Sequence, residues 1–137
     1  MDDSQHDEQT LRALYSQYAI LIEPVMTQTG DSRWRAQYPG LDWSVVADTE
    51  ESAGEELANE AQRRHDTGQP DAQPPHDLLA RHLEQPIAGV FAMDLELFVY
   101  LRGNVGRRET GRAFAEAERR RAAVRSYKKD DYLHDQG

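Results

Sequence analysis

The chain contains no cysteine, which excludes a disulfide framework, a thiol nucleophile and cysteine-ligated zinc or iron–sulfur centres. A reducing compartment suits it. Aromatic residues make up 8% of the sequence and hydrophobic residues 38%, so any core must be modest and built around Trp34, Trp43, Phe91, Phe98 and the tyrosines. No apolar run approaches the roughly 20 residues that span a bilayer, and the start, Met1-Asp2-Asp3-Ser4, has neither the basic nor the apolar region of a signal peptide. These absences predict a soluble, cytoplasmic chain with no membrane partner. With 137 residues, one domain with tails is expected, because two cores of half that length would each bury little surface.

Positive charge is also scarce, but only in part of the chain. Through Tyr100, 19 acids face 6 arginines, a balance of −13; from Leu101 onward, 8 arginines and 2 lysines face 6 acids, a balance of +4. An acidic body attracts basic proteins and repels nucleic acid, whereas a basic terminal segment does the reverse.

Hydrophobic patterning divides the chain into elements. Residues 1–15 read as an N-terminal extension, polar and mobile over the first nine residues, with a short helix over Thr10 to Tyr15. Tyr18 to Glu23 is a β-branched and aromatic run closed by Pro24, hence a strand. Thr27 to Asp31 reads as a turn. Trp34, Ala36 and Tyr38 then alternate with polar residues, as do Trp43, Val45 and Ala47, which completes a three-stranded antiparallel meander. Asp48-Thr49-Glu50-Glu51 starts a helix through an Asp or Thr cap, with a capping box from Asp48 to Glu51 on offer. Its stripe Ala53, Leu57, Ala61 is expected to pack on Tyr18, Ile20, Trp34, Ala36, Trp43 and Val45. Residues 68–75 read as a loop, followed by a short helix over Asp77 to Leu83 and a returning strand over Val90 to Asp94. Periodicity leaves residues 95–101 open between strand and helix. The domain so defined spans 16–101. An Arg-rich helical segment over 102–127 follows, with its helix over Arg112 to Arg125, and 128–137 reads as a disordered tail.

The chemistry-bearing residue types do not assemble a reaction centre. His76 and His82 are six apart, which turns them about 120° from alignment on a helix and argues against a zinc pair. Gly103-Asn104-Val105-Gly106 lacks the further glycines and the lysine of a phosphate loop. The expectation is a non-enzyme with no catalytic residue, no metal and no cofactor. What remains is charge. Glu51, Glu55, Asn59 and Gln62 lie opposite the apolar stripe of their helix. Arg112, Arg119, Arg120, Arg121 and Arg125 line the basic segment, where interleaved Glu109, Glu116 and Glu118 can pair with them.

The order strand, strand, strand, helix, strand is joined by particular residues: Tyr18-Ala19-Ile20-Leu21-Ile22-Glu23-Pro24, Trp34-Arg35-Ala36-Gln37-Tyr38-Pro39-Gly40-Leu41, Asp48-Thr49-Glu50-Glu51-Ser52-Ala53 and Leu57-Ala58-Asn59-Glu60-Ala61. In this the chain resembles the HicB-like antitoxin domain over about residues 18 to 67, with Gly89 to Leu95 similar to that family's returning strand. The resemblance implies an α+β domain of truncated RNase-H-like type, without nuclease activity, that binds a small basic endoribonuclease toxin and often represses its own operon. Independently, a nuclease of that fold needs an acid in the middle of the first strand to hold Mg²⁺, and Tyr18 to Ile22 offers none. The expected function is therefore neutralisation of a cognate basic ribonuclease toxin through Glu51, Glu55, Asn59 and Gln62. Operator DNA would be met by the arginines in a homodimer or higher oligomer. The competing reading is an acidic nucleic-acid mimic that inhibits some other nucleic-acid enzyme.

Overall fold

The computed structural model describes residues 7–136; of the mobility expected over the first nine residues, positions 1–6 lie outside them, whereas Asp7 caps a helix that already includes Glu8 and Gln9. The elements run α1 (Glu8–Tyr15), β1 (Tyr18–Ile22), β2 (Val25–Gln28), β3 (Trp34–Gln37), β4 (Val45–Ala47), α2 (Glu50–Asp66), a 3-10 turn (Pro70–Ala72), α3 (Leu78–Glu84), β5 (Val90–Asp94), α4 (Leu95–Asn104), α5 (Arg107–Ala122) and α6 (Lys129–Gln136). The fold is α+β, with strands in two small sheets, β1-β5 and β2-β3-β4. It divides into two compact units, one of residues up to Leu21 and from Phe91 on, the other Ile22–Val90. Both division points fall inside the span 16–101 read from sequence as one domain. Among the described residues no helix is long and apolar enough to cross a membrane.

In the unit Ile22–Val90 the meander is present, but its first strand differs from the expected one. Pro24 does end β1, yet a new strand begins at Val25, and β2 pairs antiparallel with β3 in the register Met26↔Ala36 and Gln28↔Trp34. The turn shifts to Thr29–Arg33, closed by the Thr29 amide donating to the Arg33 carbonyl at 2.7 Å. Trp34 faces Ala47 across β3 and β4. Trp43 lies outside β4 because its indole N–H turns to donate to the Asp71 carbonyl at 2.7 Å.

Helix α2 starts where local chemistry demands it: the Thr49 hydroxyl accepts the Ser52 amide at 3.0 Å, satisfying one of the orphan donors of the first turn. Thr49 is thus the cap. Asp48, the other cap candidate, lies 3.4 Å from the Arg33 guanidinium instead. Ala53 and Leu57 are fully buried against Ala36 and Ala47, with Met26, Trp34, Tyr38, Trp43 and Val45 packed around them. Tyr18, Ile20 and Ala61, expected in this cluster, are not part of it: the first two sit on β1, which pairs with β5 rather than β3, and Ala61, only half-buried, lies outside it.

The 68–75 loop is pinned to α2. Arg64 reaches Asp71 at 2.6 Å and Glu60 at 2.7 Å, lies 4.4 Å over the Trp43 ring, and Ala72 is buried. Trp43→Phe keeps the ring beneath Arg64 but deletes the N–H, so urea titration should show a loss of about 1 kcal/mol. Gly40 and Gly89 have φ of 81° and 84°. A Cβ at Gly89 would lie 2.5 Å from the Glu23 carbonyl oxygen, and one at Gly40 2.9 Å from Pro75, so both turns need glycine for conformation and for space.

In the other unit, α1 is capped by Asp7, whose carboxylate accepts the Thr10 amide at 2.7 Å, and it buries Leu11. Strands β1 and β5 run antiparallel: the Glu23 amide donates to Gly89 at one end and the Leu95 amide to Gln17 at the other. The open question at 95–101 resolves as helix, because Asp94 turns to accept the Leu97 amide at 3.3 Å and caps α4. Met93, Leu97, Leu101, Ala113, Phe114, Ala117 and Tyr132 form the core, with the Phe98 and Phe114 rings 5.9 Å apart.

Two expectations for the end of the chain need correction. Helix α5 begins at Arg107 rather than Arg112, and residues 129–136, expected to be disordered, form α6. Tyr132 buries itself beside Tyr100, and Asp135 pairs with Arg120, which together offset the ordering entropy of a polar segment.

The edge of β5 is closed by side chains. The Ala92 amide donates to Glu118 at 2.7 Å, its carbonyl accepts from Arg121 at 2.9 Å, and those two side chains pair at 2.7 Å. Ala92 is fully buried.

Candidate functional site

The outer face of α2 is the strongest concentration of uncompensated charge. Its unit, Ile22–Val90, holds thirteen acids and five arginines, a balance of −8. Four of those arginines are engaged: Arg33 with Asp48, Arg63 with Glu60, Arg64 with Glu60 and Asp71, and Arg81 with Asp77. Two of them hold the Glu60 carboxyl at about 2 through hydrogen bonds from Arg63 and then Arg64. Glu50, Glu51, Glu55 and Glu56 are exposed, and none has an ion-pair partner among the described residues. Glu51 and Glu55 are moreover an i, i+4 pair of like charge, a destabilising arrangement in an isolated helix. The helix dipole relieves this only within the first turn.

All four residues expected at the partner face come together. On a helix of 3.6 residues per turn, Glu51, Gln62, Glu55 and Asn59 fall within about 80° of one another, and all are exposed. Gln62 donates to Asp66 at 2.8 Å, so it is less available than the glutamates.

Beside this face runs a groove of about 410 Å³ lined by Tyr38, Ala58, Ala61, Gln62, His65 and the Ala72-Gln73-Pro74 segment. Sequence reasoning missed Tyr38, Ala58 and Gln73. The spacing of Ala58, Ala61 and His65 was a signal for one wall. The other wall comes from distant segments and had none.

The arginines expected to track DNA are placed differently. Arg112 pairs with Glu109 at 3.2 Å, Arg119 with Glu116, and Arg121 with Glu118 and the Ala92 carbonyl. Arg120 is buried between Glu116 and Asp135, 4.4 Å over the Tyr127 ring. Hydrogen bonds from Arg119 and then Arg120 lower the Glu116 carboxyl from 4.5 to about 2. Of the five, Arg125 alone has no carboxylate partner among the described residues. The i, i+3 glutamates noted in sequence are what absorb the rest.

A cleft of about 640 Å³ in the other unit is lined by Ser16, Tyr18, Glu96, Val99, Lys128 and Lys129 among others, with both charge signs mixed. His82 is buried and its Nδ1 accepts the Ile87 amide at 2.9 Å, a structural role. Among the described residues no three histidines or carboxylates converge as a metal site. Comparison of the chain with family models, with curated proteins and with solved structures finds no match to any of them.

Proposed function

We propose that the chain is a non-catalytic, antitoxin-like binding protein whose acidic α2 face neutralises a basic endoribonuclease. One observation carries the reading: the glutamates of the first turns of α2 are exposed and unpaired, while four of the five arginines in their unit are tied to other carboxylates. Charge left without an internal partner steers a complementary protein and sets its association rate. The element order supports the HicB-like assignment. A meander leads into α2 and the chain then returns through β5, which pairs with β1, the segment that precedes Pro24. Operator DNA forms no part of the proposal, because phosphates would have to displace Glu109, Glu116 and Glu118 from their arginines.

The reading frames adjacent to this chain's gene are searched for a short, basic endoribonuclease, and RNA cleavage by such a ribonuclease is the assay. The wild-type protein should suppress cleavage. Glu51→Lys with Glu55→Lys should slow association by about tenfold or more and flatten its salt dependence. An unchanged rate in a folded variant would take the α2 face out of the interface, and inhibition of unrelated nucleic-acid enzymes as well would favour the acidic-mimic reading.

A further inference from the structure

The face that carries the proposal is flanked by a groove. Gly54, Ala58, Ala61 and His65 repeat at i, i+4, i+7 and i+11, a single flank of α2 between the buried stripe and the glutamates. A Cβ built on Gly54 would meet nothing within 4 Å. Glycine inside a helix lowers stability relative to alanine, and here no packing contact explains it. Along the same flank the groove holds about 410 Å³, with Ala58 and Ala61 on the helix side and Tyr38 and Gln73 among the residues facing them. Small residues let another backbone come close. The unpaired Glu51 and Glu55 lie on the adjacent face.

We infer that this groove receives a basic amphipathic helix of the partner. In the bound state its apolar stripe lies on Ala58, Ala61 and Tyr38, and its arginines or lysines reach Glu51 and Glu55. This rests on the α2 face being the partner surface, and it adds a shape requirement that charge alone does not impose. The occupant follows from charge complementarity: the unit carries −8, and cations at i, i+4 on a helix match the spacing of Glu51 and Glu55. Ridge-into-groove contact across small residues gives the close approach that seats them.

The test uses the whole protein and a labelled synthetic helix with an alanine–leucine stripe edged by arginines at i, i+4, read by fluorescence anisotropy. Unstructured polyarginine is the charge-only control. Ala58→Trp fills the groove without touching a glutamate, and because Ala58 is exposed the fold should be retained, as an unchanged Tm would verify. Gly54→Leu, on the same flank one turn before the groove residues, is the second variant. Each should weaken the helical peptide at least tenfold and leave polyarginine unaffected, whereas Glu51→Gln with Glu55→Gln should weaken both. If the groove variants bind the helix as the wild type does and the glutamine variant does not, the groove inference is overturned and the acidic-face reading stands. If no variant changes binding, both fail. Sedimentation of the protein alone with a salt-sensitive increase in mass, abolished by Ala58→Trp, would make a second copy the occupant and overturn the assignment to a partner's helix.

Discussion

Leu57→Ala should lower stability by about 2–5 kcal/mol in a urea titration. Leu57 has no exposed surface, and the buried residues of its cluster are Ala36, Ala47 and Ala53. Alanines have no rotamers with which to fill the space, so the cavity stays open unless Trp34 or Trp43, both half-buried beside it, leans inward. Collapse of that kind would place the result at the lower end of the range. A loss below about 0.5 kcal/mol would put Leu57 at the surface and contradict the packing of α2 on the β2-β3-β4 sheet.

Arg120→Ala should cost about 2–4 kcal/mol and free α6 from α5. The side chain is 10% exposed, and its removal leaves Asp135 without its cation and Glu116 with Arg119 alone while deleting the contact with the Tyr127 ring. Breaking a pair costs more than its net worth where the partner's charge stays desolvated, and the solvent access of Asp135 and Glu116 holds the loss at the lower end of that range. Arg119→Ala is the control. It removes a cation from the same carboxylate, but at 61% side-chain exposure the change should stay under about 1 kcal/mol. Hydrogen exchange should show the difference, with α6 amides losing protection in Arg120→Ala alone. The pH dependence follows from Glu116, whose folded-state value is depressed from 4.5 to about 2. A depressed carboxyl contributes stability that is present above its unfolded value and lost as pH falls through the folded one. Protection of α6 should therefore persist near pH 4.5 and disappear toward pH 2 in the wild type.

Where structure is decided by near neighbours it was legible in the residues. The start of α2 depends on a hydroxyl and an amide three positions apart, and β5 was bounded at Val90 and Asp94 by its own β-branched and aromatic run. Strand β2 was not, because Val25-Met26-Thr27-Gln28 is too short for alternation to outweigh the proline before it and the turn residues after it. Helix α6 was hidden for a different reason. Its holding contacts, Asp135 with Arg120 and Tyr132 with Tyr100, lie 15 and 32 residues away in sequence, and its own composition is that of a solvated tail. The candidate site divides the same way. The acidic face is a one-helix property and i, i+4 spacing exposes it, whereas the groove beside it needs Tyr38 and Gln73, which only folding brings to Ala58.

The Glu118–Arg121 clasp on Ala92 gives α5 a second duty. A two-stranded sheet ends in a row of peptide groups that can template growth by another chain, and at Ala92 that template is blocked by a donor and an acceptor lent from a helix. Resistance to fibrillar growth at this edge is thus lodged outside the sheet. Fraying of the last turns of α5, which would be silent to strand content, uncovers the Ala92 amide and carbonyl. The earliest species competent to nucleate assembly should therefore be one in which both strands are still intact.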